Sequence, residues 1–355
     1  MTLDEIGKRI DAAPLDASLH RIAAQLLVKG QRLEDGLGEA LLAVGLDPNN
    51  AEGHAIAGAI WDLLGDVESA REALEWALTL SPYMPAARWN YGLNCLKRGL
   101  WEEGWAGYRW GQAAGPRTKR TCGPEWDGST VGTLFVWSEQ GFGDTLQFVR
   151  FVAEARSRCG CVLLEVQPSL ARYLQPLADR VFPKQTDYGV PYPWDAHCSV
   201  MDLPGILGGE PSGEPYLPIP STRGSGTGIC WHGGPGDLNW RRSCPGELAR
   251  AAFPDAVILQ QEENPSLTDW QATAEIVAGL ERVITVDTAI AHLSAGMGIP
   301  TWIMLPFAGE WRWGMDPTRT IWYDSARLYR QAEPGDWAGT IQRIQHDLNA
   351  SSTAL

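Results

Sequence analysis

Residues 139–144 read Glu-Gln-Gly-Phe-Gly-Asp, with two carboxylates, Glu139 and Asp144, around two glycines, Gly141 and Gly143. An apolar run at 133–137 precedes them and a helical pattern follows, so they form a strand-to-helix turn. Glycine lets a ligand approach the backbone, and a carboxylate beside it could take a proton from a hydroxyl. The plainer reading is a hinge with Asp144 as helix cap, which leaves Glu139 as the other candidate base. A second loop, 231–243, reads WHGGPGDLNWRRS. His232 and Gly233 open it, and Arg241 and Arg242 close it. Arginine forks suit phosphate, although an adjacent pair is also ordinary solvated surface. In a third loop, the β-rich run 283–286 leads into Asp287, Thr288 and Ala289, which start a helix carrying His292. Unpaired N–H groups and the positive end of the helix dipole attract an anion there. Thr288 adds a hydroxyl, and His292 follows one turn later on the same side. The alternatives are Asp287 as a cap and His292 as a core histidine.

A base on one side and an anion site on the other are the two parts that group transfer with a phosphate leaving group requires. The sequence has no Asp-x-Asp metal motif, so protein groups must meet the phosphate charge. No metal or other cofactor is expected.

The elements around these loops alternate. Apolar runs at 133–137, 161–166, 196–200, 227–231, 256–260, 282–286 and 300–305 are interleaved with helical patterns at about 144–157, 168–178, 244–252, 267–279, 288–297 and 336–348. Such alternation builds parallel sheets covered by helices. The Gly/Pro/Ser-rich stretch 208–226 suits a hinge between two Rossmann-like lobes, whose strands would point their carboxyl ends into a shared cleft.

Residues 1–110 follow a different rule. Pro48 and Pro82 are 34 residues apart, as are Gly58 and Gly92, and Gly65 and Gly99. Small and large residues recur in phase, at Ala57, Trp61, Ala70, Leu74 and Ala77 and again at Tyr91, Cys95, Gly104 and Tyr108. This resembles tetratricopeptide (TPR) repeats, with a degenerate earlier unit over about 17–48. Such a stack either docks a peptide on its concave face or props the next domain.

Composition limits the partners. A net charge of −14 argues against broad contact with nucleic acid or anionic membrane, and 44% hydrophobic residues are enough for proper cores. The sequence offers neither an 18-residue apolar stretch nor a leader-like start. Its seven cysteines, an odd number, fit free thiols, so a cytoplasmic protein without membrane insertion is expected. The 17 tryptophans include the EWRWGMD stretch at 310–316, where aromatic faces could stack on sugars or simply pack a core.

From Trp101 onward the chain resembles bacterial TPR-linked glycosyltransferases related to the heptosyltransferases of lipopolysaccharide synthesis, with an architecture similar to O-linked GlcNAc transferases. The matching segments, in order, include WEEGWAGYRW (101–110), WSEQGFGDTLQFVRF (137–151), WDAHCSVMDLPGIL (194–207), RRSCP (241–245) and VITVDTAIAHLSAGMGIPTWIMLPFAGEWRW (283–313). The resemblance implies an α plus α/β chain: TPR helices at 1–110, a linker at 111–127, a first lobe on the acceptor side at 128–220, a second, donor lobe at 221–335, and a C-terminal helix at 336–355 crossing back to the first lobe. The two lobes would form a GT-B, metal-independent, inverting glycosyltransferase. Asp144 matches the family's catalytic carboxylate, and Asp287, Thr288, Ala289 and His292 match its donor-binding turn. His232 and Gly233 depart from the family's usual Trp-Ala-Gly-Asn loop. The implied partners are a nucleotide sugar and a protein acceptor, bound through Ser or Thr, on the concave TPR face. A saccharide acceptor, a non-catalytic adaptor and a nucleotide-sugar epimerase are the competing readings.

Overall fold

The computed structural model describes residues 1–120, 123–184, 192–220, 224–234 and 239–352. Parts of the expected linker, hinge and second loop (121–122, 221–223 and 235–238) lie outside the described residues. Two compact units divide the chain: Met1–Arg117 with Ala308–Met315, and Thr118–Phe307 with Asp316–Leu355.

In the first unit, α1 (Leu3–Ala12) precedes three helix pairs: α2 (Ala17–Lys29) with α3 (Leu33–Leu46), α4 (Ala51–Leu64) with α5 (Val67–Leu80), and α6 (Pro85–Lys97) with α7 (Trp101–Tyr108). A short α8 (Gly111–Ala114) follows. Corresponding helices start 34 residues apart, so these are TPR-like repeats in the expected phase. Local chemistry fixes the ends. Asn50 accepts from the Glu52 and Gly53 amides, Asp66 caps α5 through Ser69, and Gly65 ends α4 in the left-handed conformation. Ala40, Ala57, Ala70, Leu74 and Ala77 are fully buried between the helices. Helices α6 and α7 approach backbone to backbone: a Cβ on Gly92 would fall 2.6 Å from the Gly107 carbonyl carbon.

Residues 308–315 belong to this unit although in sequence they lie within the stretch expected for the second lobe. Trp311 meets Trp105 and Tyr108 edge-on at 5.7 and 5.6 Å, and Trp313 is fully buried. These tryptophans pack a core; they do not present a stacking face to a ligand. The second unit is therefore interrupted inside the stretch 221–335.

Buried His20 lies 2.6 Å from Glu39 through Nδ1 and 3.0 Å from the Pro14 carbonyl through Nε2. Burial disfavours its cation, but the carbonyl and the carboxylate outweigh burial and raise its pKa above the ordinary value near 6.5. A raised histidine pKa gives stability that is complete below the unfolded value and lost as pH rises through the folded one. The thermal midpoint of the helical unit, followed by circular dichroism, is expected to fall as pH rises from about 6 to about 8. His20→Gln is expected to flatten that slope; an equal slope in the variant would assign it to other groups.

The second unit holds two sheets. The first lobe contains β1 (Val131–Trp137), α9 (Phe142–Phe148), α10 (Val152–Ser157), β2 (Cys159–Val166), β3 (Arg180–Pro183), β4 (Ala196–Ser199) and α11 (Leu203–Leu207). The second contains β5 (Thr227–Cys230), α12 (Asn239–Arg242), α13 (Gly246–Ala252), β6 (Val257–Ile258), α14 (Trp270–Ala278), β7 (Arg282–Val286), α15 (Ala289–Gly296), β8 (Thr301–Leu305), β9 (Ala326–Arg330) and α16 (Trp337–Ser352). Strand orders are β3-β2-β1-β4 and β6-β5-β7-β8-β9, with every pairing parallel. The order reverses between β1 and β4 in one sheet and between β5 and β7 in the other. Those crevices, at the carboxyl ends of the strands, are where open α/β sheets bind ligands.

Several expectations change. The helix expected over 168–178 is two 3-10 turns, Pro168–Leu170 and Gln175–Leu177, because Pro176 lacks the N–H a continuous helix needs. Edge strands β3 and β9 fall outside the expected apolar runs. Residues 123–127 do not form a loose linker: Trp126 is buried and its amide donates to the His197 carbonyl at 2.7 Å beside β4. Among the described residues, the C-terminal helix packs on the second lobe, where the sequence had led us to expect a crossing back to the first. Trp337, Ile341 and Ile344 of α16 join Ile229, Ile284 and Met304 in the second lobe's core, and Gln345 donates to the Ala252 carbonyl.

Candidate functional site

The 139–144 turn leaves the carboxyl end of β1 at the first sheet's crevice. Glu139 is buried, and its carboxylate accepts from Ser199 Oγ, at the end of β4, at 2.5 Å and from the Thr118 amide at 2.8 Å. Through Ser199 it links the carboxyl ends of β1 and β4. Asp144 sits in the first turn of α9, and its Oδ2 accepts from the Gly141 amide at 2.9 Å. Capping is therefore a role this side chain fills. Gly143 makes room for protein, not ligand. A Cβ there would lie 3.0 Å from His292 Cδ2 and 3.4 Å from Ala289 Cα, so its bare backbone lets α9 meet the start of α15 across the two lobes. At Gly141 the nearest atom to such a Cβ is Asp144 Oδ2, at 3.2 Å.

The 208–226 connection is strapped to both lobes. Tyr216 donates its hydroxyl to the Leu146 carbonyl at 2.7 Å, and its amide donates to Gly296. Arg150 donates to the Ser212 and Trp322 carbonyls, and its guanidinium lies over the rings of Tyr216, Trp322 and Tyr323 at 4.2–5.1 Å. Burial, with Tyr216 beside it, holds the Tyr323 phenol well above its usual pKa, so it stays protonated. Its oxygen lies 2.7 Å from His292 Nδ1. His292 is thus a buried, partnered histidine behind the site, as the core reading allows.

Where the second sheet reverses, a cavity of 380 Å³ opens beside the α15 N-terminus. Of the residues singled out in the sequence, His232, Gly233, Thr288 and Ala289 line it; Asp144, Glu139, Arg241, Arg242, Asp287 and His292 are not in its wall. Thr288, not Asp287, is the N-cap of α15, and its side chain makes no capping hydrogen bond. Its Oγ1 lies 3.1 Å from Thr285 Oγ1. Arg242 stands next to the cavity: its Nη2 would be 3.1 Å from a Cβ on Gly233, and its Nη1 is 3.9 Å from Asp287. Asp287 is mostly buried, so the arginine offsets its charge.

Wall residues that sequence reasoning missed include Phe142, Gln260, Asp269 and Trp270. Buried Gln260 accepts from the Trp231 amide at 3.1 Å and the Cys230 thiol at 2.8 Å. Burial pushes that thiol up to about 11, so it is no nucleophile near neutral pH. Asp269 caps α14 through the Ala272 amide at 2.8 Å. Phe142, from the first lobe, approaches Trp270 at 5.3 Å between ring centroids. Gln260 was within reach of the strand rule, since it ends the apolar run 256–260. The Phe142–Trp270 pair had no signal, because it joins residues 128 positions apart.

The wall thus combines an aromatic pair, hydroxyl and amide groups, two carboxylates (Glu262 and Asp269), a helix N-terminus and a neighbouring arginine. Carboxylates and amides suit hydroxyl-rich ligands, aromatic faces suit sugars or bases, and the helix end with Arg242 suits an anion.

No protein-family model matches the chain, and no curated protein does. Solved structures match the N-terminal helices. MamA is 19% identical over 32% of this chain and 67% of its own, with a TM-score of 0.29. TTC0263, a thermophilic TPR protein in Thermus thermophilus, is 22% identical over 32% of this chain and 64% of its own, also at 0.29. The first TPR of Spaghetti (RPAP3), bound to an HSP90 peptide, is 25% identical over 24% of this chain and 68% of its own, at 0.24. This chain is a TPR-like helical unit joined to an α/β unit of two parallel sheets.

Proposed function

We propose that this chain is an inverting, metal-independent glycosyltransferase of GT-B type. It takes a sugar from a nucleoside-diphosphate donor to a hydroxyl, on Ser or Thr of a protein held by the helical repeats. The observation that carries this reading is the 380 Å³ cavity at the carboxyl ends of β5, β6 and β7. There the N-terminus of α15 and Arg242 would face the diphosphate, while Asp269, Gln260 and the Phe142–Trp270 pair would face the sugar or base. Asp144 is the proposed general base, with Glu139 as the alternative. The test is calorimetry against a panel of nucleoside diphosphates and their sugars, followed by assay of nucleoside diphosphate release with and without candidate acceptor proteins. Failure of every panel member to bind would overturn the reading.

Arg242→Ala is expected to weaken donor binding by about 1.5–3 kcal/mol, the range for a hydrogen bond to a charged group. Arg241→Ala is the comparison. If both variants bind like wild type, the 231–243 loop is no phosphate clamp.

One observation favours a second reading, a binding adaptor without turnover: both candidate bases already accept hydrogen bonds from the protein, Asp144 from Gly141 and Glu139 from Ser199 and Thr118. An adaptor binds the nucleotide yet neither transfers nor hydrolyses the donor.

A further inference from the structure

At the other side of the second lobe, β9 and α16 border a cavity of 720 Å³. Arg327, Arg330 and Arg343 line it with His346, against a single carboxylate in the wall, Asp347. In a chain of net charge −14 such a local excess of cations is conspicuous. Arg327 is 2.5 Å from Asp347, which also accepts from the Tyr329 hydroxyl at 2.9 Å. Arg330 Nε donates to the Asp316 carbonyl at 3.1 Å. Arg343 donates to the Arg330 carbonyl and to Thr340 Oγ1. A carbonyl and a hydroxyl aim the Arg343 guanidinium without neutralising it. Burial pulls the Arg330 pKa below the usual arginine value, against the opposing pull of the Asp316 charge. A poorly solvated cation gains more from an incoming anion than a surface one does.

Gln331 supplies an independent observation. It lines the same cavity and is only 5% exposed. Its Oε1 accepts from the Phe307 amide at 3.2 Å and the Gly335 amide at 3.0 Å, which fixes the orientation of its amide. Its Nε2 is then a buried donor with no acceptor among the described residues. Buried donors are rarely left unsatisfied, and a ligand rich in acceptor oxygens would satisfy this one.

We propose that the cavity between β9 and α16 is a second ligand site, for a small polyanion of the phosphate or pyrophosphate class, held by Arg330, Arg343 and Gln331. It is separate from the cavity at β5 and β7 and does not depend on the transfer reading. The probe is pyrophosphate, titrated calorimetrically into the full chain at low ionic strength. Arg242→Ala is run beside wild type, because the other site could also take an anion. Saturable binding is expected in both, weakened at least ten-fold by Arg343→Gln in either background. Exposed Arg343 can be replaced without opening the core, and circular dichroism checks that the variant folds. Arg330→Gln is a second variant with the same expected loss. The proposal is overturned if wild type shows no saturable binding, if folded Arg343→Gln binds like its parent, or if Arg242→Ala alone abolishes binding.

Discussion

Asp144→Asn is expected to lower turnover by roughly 10²–10⁴-fold, the usual contribution of a general base. Donor affinity should change little, because Asp144 is not in the wall of the proposed donor cavity. Stability should also hold. Asparagine keeps a carbonyl oxygen that can accept from the Gly141 amide, as Asp144 Oδ2 does at 2.9 Å. The cap role alone predicts the opposite pattern: a small loss of stability with turnover per folded molecule intact. Glu139→Gln is the necessary partner. That carboxylate is buried and accepts from two donors, Ser199 and Thr118. Glutamine can keep both contacts, its Oε1 accepting from the Thr118 amide and its Nε2 donating to the Ser199 hydroxyl, so this variant removes the base while keeping the fold. Initial rates with a verified donor and acceptor, paired with thermal melts, separate the cases. An Asp144→Asn enzyme near wild-type rate beside a folded but inactive Glu139→Gln enzyme would move the base to Glu139. Normal rates in both would remove the first-lobe turn from the chemistry.

Gly92→Ala should destabilise the helical unit by about 3 kcal/mol, at the upper end of ordinary overpacking. The reason is geometric. A Cβ at Gly92 would stand 2.6 Å from the Gly107 carbonyl carbon and 2.7 Å from the Tyr108 nitrogen, and all of these neighbours are backbone. No side chain can swing aside, so α6 and α7 would have to separate. That strains the contact carrying Trp105 and Tyr108, onto which Trp311 packs. Gly38→Ala, in the interior of α3, is the control. No atom lies within 4 Å of its Cβ, so the substitution should stabilise by roughly 0.5–1 kcal/mol through helix propensity alone. Urea unfolding followed by circular dichroism reads both. Equal midpoints for Gly92→Ala and wild type would mean the two helices do not approach as described.

The repeat unit was legible because its determinants are local and periodic. Small residues 34 positions apart mark helix crossings, and Asn50, Asp66 and Pro85 mark helix starts without help from distant chain. Most central strands were legible for a similar reason: a parallel strand covered on both faces is a continuous apolar run. Strands β3 and β9 were not, because their composition is mixed, with Arg180 and Pro183 in one and Arg327 and Arg330 in the other. The destination of α16 was misjudged. An apolar stripe states that a helix must be buried, but not against which lobe.

The sequence by itself determined the repeats, the strand–helix alternation, and the three loops at the carboxyl ends of β1, β5 and β7, since each depends on neighbours within a few residues or a fixed period. Tertiary structure decided which of those loop residues meet. It turned His292 toward Tyr323 and away from the cavity, filled the space at Gly143 with α15, and set Phe142 against Trp270. Side chains converge on a site only after two sheets are placed against each other. That placement is the summed result of contacts such as Arg150 with Tyr216, Trp322 and Tyr323, whose partners are scattered along the chain and carry no local pattern.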